Sequence, residues 1–76
     1  LYYGSKYEIM SYAWQIVNEF RSYSKIDKDI EIMLQSNSEV KFKYSRSLEI
    51  YHKLFTIKDK ELKLLYKYMY GYLNLE

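Results

Sequence analysis

The chain contains no cysteine and no proline, only two glycines and a single histidine. Without cysteine there is no disulfide framework and no thiolate metal site. One histidine cannot build a usual zinc site alone, so neither a metal nor a cofactor is expected. Without proline, nothing interrupts a long helix. The glycines, Gly4 and Gly71, are too far apart to form a phosphate-cradling loop. No apolar run is long enough to span a bilayer, and no secretory hydrophobic segment is visible. The expectation is therefore no membrane association and a cytoplasmic location. Leu1 stands where an initiator methionine would, which fits an excised domain or a processed chain.

What is present describes a small helical object. The 76 residues make one domain, 1–76, of a size that buries a small core. Hydrophobic residues make up 49% of it, which excludes general disorder. Eleven tyrosines join an apolar ring to a polar tip, a combination suited to half-buried surfaces and interfaces. The net charge is only +2, but it is unevenly spread. Residues 1–40 carry four cations against six anions; residues 41–76 carry eight against four.

Hydrophobic spacing divides the chain into four stretches. In the first, 6–23, Ile9, Ala13, Ile16, Val17 and Phe20 share a face that Met10 and Trp14 widen. In 25–35, Ile26, Ile30, Met33 and Leu34 recur at helical spacing. It stops at the polar turn Ser36-Asn37-Ser38. Residues 39–55 read as a helix through Val40, Tyr44, Leu48, Tyr51 and Phe55. Val40, Phe42 and Tyr44 also alternate with Lys41 and Lys43, as a strand would, but no second strand is evident to pair with it. The last stretch, 57–73, places Leu62, Leu65, Met69 and Leu73 in one row. Leu64, Tyr68, Tyr72 and Leu75 form a second row, and Lys60, Lys63 and Lys67 a solvated stripe. Such a helix must be covered by other elements or by a second chain. Gly71 falls near its end, where it can fray or stop the helix.

Each stretch is preceded by a capping-box pattern: Ser5/Glu8, Ser24/Asp27, Ser36/Glu39 and Thr56/Asp59. Short connections make successive helices antiparallel neighbours. The expected fold is all-α, a small up-and-down bundle of about four helices with the C-terminal helix central.

Chemistry has little to work with. Glu49 lies one helical turn before His52, so a Glu–His pair is conceivable, but Ser47 and His52 do not share a helical face. Asp27, Asp29 and Glu31 alternate as in a calcium loop, yet the turn glycine is missing and Ser38 stands where the closing glutamate belongs. A solvated helix N-terminus explains these acids. No enzyme and no small-molecule substrate is expected.

Two binding functions remain. Tyr66, Tyr68, Tyr70 and Tyr72 alternate, so they point in different directions on a helix and some must face outward. With Leu73 they suggest an interface for a protein partner or a homodimer. The alternative is nucleic acid, DNA or RNA, held by Lys41, Lys43, Arg46, Lys53, Lys60, Lys63 and Lys67 with neighbouring tyrosines stacking on bases. Glu49, Asp59 and Glu61 interrupt that cationic field, and a pI near 8.7 is modest for a dedicated nucleic-acid binder.

Overall fold

A computed structural model describes residues 4–74. They form α1 (Lys6–Arg21), α2 (Asp27–Gln35), a short 3-10 helix (Glu39–Lys43), α3 (Arg46–Leu54) and α4 (Lys60–Leu73). The chain is a small all-α bundle, without strands among the described residues. No helix among them is long and apolar enough to cross a membrane.

The core forms where α1 and α4 pack together, the most extensive helix pairing in the molecule. The face anticipated on α1, Ile9 to Phe20, is buried throughout. It meets Leu62, Leu65, Met69 and Leu73 of α4, joined by Ile30 and Leu34 of α2 and Leu48 and Tyr51 of α3. The α4 row is thus sheltered within one chain. Leu64, Tyr68 and Tyr72 are half-buried beside it; Leu75 lies outside the described residues. Trp14 is not in the core. It is 48% exposed, its ring edge-on to Tyr72 with centroids 5.2 Å apart.

Caps decide where the helices begin, and only some were anticipated. Ser5 Oγ accepts from the Glu8 N–H at 3.2 Å, as its motif requires. Ser24 instead accepts from the Ile26 N–H at 3.2 Å, closing a local turn, so α2 starts later than expected, at Asp27. There Arg21 grips the Asp27 carboxylate with two parallel bonds of 3.0 and 2.7 Å. This charge-assisted fork holds the Asp27 carboxyl below its usual range and ties the end of α1 to the start of α2. Ahead of α4, the Asp59 carboxylate accepts from the Thr56 N–H at 2.8 Å. The chain is turned there, and the helix begins at Lys60 rather than 57. Gly71 does not stop it; α4 runs on to Leu73.

The segment 39–55 departs most from expectation. It is neither a continuous helix nor a strand. The 3-10 helix, capped by Ser38 Oγ accepting from the Val40 N–H at 3.1 Å, ends at Lys43. Tyr44 then packs its ring near those of Phe20 and Tyr23. Ser45 is extended and starts α3 afresh by accepting from the Leu48 N–H at 3.1 Å. The same hydroxyl donates to Glu19 Oε1 at 2.6 Å, and Ser47 Oγ donates to Glu19 Oε2 at 3.1 Å while accepting from Gln15 Nε2 at 2.8 Å. This knot seats the N-terminus of α3 on α1. A buried serine with two such partners outweighs the helical periodicity that runs through the segment.

Candidate binding cleft

Helical geometry separates the four C-terminal tyrosines into two pairs. Tyr66 and Tyr70, one turn apart, fall on one flank of α4 together with Lys63 and Lys67. Tyr68 and Tyr72 fall on the opposite flank, where Tyr72 meets Trp14 and its hydroxyl donates to the Met10 carbonyl at 3.5 Å.

The first flank borders a solvent-open cleft of about 980 Å³. Its other walls are the end of α2, the link through Ser36 to Glu39, the 3-10 helix, His52 from α3, and Ile57. Aromatic rings make up much of its lining. Phe42 and His52 have centroids 4.9 Å apart, and His52 stands edge-on to Tyr66 at 5.7 Å. Tyr70 continues the series 6.0 Å from Tyr66. His52 Nε2 and the Tyr66 hydroxyl share a 2.7 Å hydrogen bond.

Lys41 lies beneath this surface, only 7% exposed. Its ammonium donates to the Ser36 carbonyl at 2.8 Å and to the Leu34 carbonyl at 3.4 Å. These are orphan acceptors at the end of α2. The ammonium also sits 5.5 Å from the Tyr66 centroid and 5.9 Å from that of Phe42, within cation–π range. An inward lysine in a 3-10 helix thus caps another helix, a role with no local sequence signal.

Burial sets the protonation of the group. It lowers the Lys41 ammonium below its ordinary value. It lowers His52 as well, with the nearby Lys41 charge as a second cause, which favours the neutral imidazole. Burial and the neighbouring Tyr70 push the Tyr66 phenol far up, and burial and Glu31 raise Tyr70, so both keep their protons at neutral pH. The ring surface is therefore uncharged. His52 takes Tyr66 as its partner, while Glu49, the acid one turn before it, pairs with Lys53 at 3.8 Å.

The cationic residues do not form one face of this cleft. Lys63 and Lys67 line it, are exposed, and have no ion-pair partner among the described residues. Lys41 is turned inward. Lys53 is engaged by Glu49, and Lys43, Arg46 and Lys60 are exposed outside the cleft. Leu73 belongs to the core, at 6% exposure. Phe42, His52 and Ile57 were not anticipated as site residues. The signal that could have revealed the flank is the spacing of Lys63, Tyr66, Lys67 and Tyr70, which places all four on one side of a helix. The chain matches no protein family, no curated protein and no solved structure.

Proposed function

We propose that this chain is a non-enzymatic binding module that engages a protein partner along the cleft flank of α4. The observation that supports this is the size and lining of the cleft in so small a domain. Rings that help close a core elsewhere in the molecule here border open space, with exposed lysines beside them that have no ion-pair partner among the described residues. Half-exposed aromatic residues on a rigid helix suit protein interfaces. The proposed setting is cytoplasmic, where a fold that uses no disulfide is at no disadvantage.

A photo-crosslinking residue placed at Lys67 should give a protein adduct in the source cell, and one at exposed Ser11 on α1 should not. Equal adducts at both positions, or none at Lys67, would dismiss the cleft as the docking surface.

The second reading, nucleic-acid binding, draws on the same flank, since Lys63 and Lys67 beside Tyr66 and Tyr70 suit phosphates and stacked bases. It is disfavoured by the burial of Lys41, by Glu39 on the cleft wall and by the scatter of the other cations. It requires binding to a mixed DNA or RNA probe that weakens steeply with salt; the absence of binding at low salt would end it.

A further inference from the structure

We propose that the cleft takes an extended acidic segment of a partner protein, in which one apolar side chain is flanked by two carboxylates. The inference rests on the docking reading above and specifies its occupant.

Charge complementarity selects the sign. Lys63 and Lys67 are exposed on the cleft and unpaired among the described residues. The rings beside them carry no charge, since His52 and Tyr66 satisfy each other and both tyrosines hold their protons, and the buried Lys41 ammonium beneath adds to the positive sign. An occupant that leaves these cations unpaired forgoes the attraction; a basic one is repelled. Glu39, on the 3-10 side, confines the attraction for carboxylates to the α4 edge.

Spacing selects the backbone. Residues one turn apart on a helix surface stand roughly 5–6 Å from each other. In an extended chain, alternate side chains point the same way and repeat every ~6.6 Å. Carboxylates two residues apart on such a segment therefore match Lys63 and Lys67. The side chain between them points the other way, toward the wall formed by Phe42 of the 3-10 helix and His52 of α3. The Phe42–His52 wall and the lysine pair thus correspond to the two faces of one extended strand.

The test uses the full chain, isotopically labelled, and short capped peptides. Gly-Gly-Glu-Leu-Glu-Gly-Gly should shift the amide resonances of Lys63, Tyr66 and Lys67 together with those of Phe42 and His52. Replacing its leucine by glycine should weaken binding. The exposed double variant Lys63→Glu/Lys67→Glu, which disturbs no core contact, should bind roughly tenfold more weakly. If a Lys-Leu-Lys peptide moves the same amides equally well, the cleft still docks peptides and the acidic occupant is wrong. If no peptide moves them up to its solubility limit while oligothymidylate does, both the occupant and the protein-docking reading fall. Cleft shifts that track protein concentration without added peptide would make the occupant a second copy, again overturning the proposal.

Discussion

The two sides of α4 solve opposite problems. Toward α1, its row from Leu62 to Leu73 is dry and interlocked with Ile9, Ala13, Ile16, Val17 and Phe20. Toward the 3-10 helix, rings of similar size are joined by hydrogen bonds and a buried ammonium around a space of about 980 Å³. The first side holds the fold by excluding water from apolar area. The second has its buried polar groups satisfied but its volume open. Stability and the proposed recognition thus fall on different flanks of a single helix, and mutations should separate them.

The largest expected effect tests the dry side. Leu65 is fully buried, and Leu65→Ala should cost about 3 kcal/mol through lost transfer energy and the cavity left behind. Small domains have stabilities of roughly 5 kcal/mol, so urea denaturation should show a midpoint drop that dwarfs any cleft substitution. Tyr70→Ala, at the half-buried edge of the cleft, should cost far less. If the two variants lose equal stability, the division between flanks is false.

Next in size is Ser45→Ala. It removes the cap on the Leu48 N–H and one of the hydrogen bonds to Glu19, for an expected loss of about 1–2 kcal/mol. Glu19→Gln, which keeps an acceptor, should lose less in the same urea assay. Equal losses would place the cost in the charge rather than in the cap.

These two variants also mark what was legible beforehand. Leu65 announced itself because helical spacing alone groups it with Leu62, Met69 and Leu73, and Ser5 because its partner lies within the same turn. Ser45 did not. Its cap receives the N–H of a leucine, not of an acid, and its second partner is 26 positions away. The cleft was hidden for the same reason. His52 and Tyr66 are 14 positions apart, and Lys41 turned inward because of carbonyls left over at the end of another helix. Periodicity reveals which face of a helix is apolar. It carries no information on which distant polar group will meet it.

pH should distinguish the flanks, because the paired apolar rows of α1 and α4 contain no titratable side chain. The folded state depresses the His52 pKa below 6.5, first by burial and then through Lys41. Within the window below pH 6.5 the unfolded chain therefore binds more protons, and stability falls as the pH is lowered. Lys41 and the Tyr66 hydroxyl are the groups facing the imidazole from other elements; both hold their protons throughout that window. Asp27, whose carboxyl is lowered by Arg21, contributes only at more acidic pH, below its ordinary value of 3.8. Thermal melts between pH 7.5 and 5.5 should lose stability in the native chain and lose less in His52→Gln. An unchanged slope in the variant would remove His52 from the account.

The smallest effect tests whether the helix shared by both flanks can be stiffened without altering either. Gly71 lies within α4 on its solvent side, and a Cβ built there meets nothing within 4 Å. Its φ is not positive, so alanine adopts the same backbone without strain. Gly71→Ala should therefore stabilise by about 0.5 kcal/mol, the lower end of the usual gain, because the position is close to where the helix frays. The gain arises in the unfolded chain, which has fewer conformations to lose. The urea midpoint should rise while cleft amide shifts and peptide binding stay as they were. A change in binding would mean that the end of α4 moves to admit its ligand, and that Gly71 supplies the freedom for it.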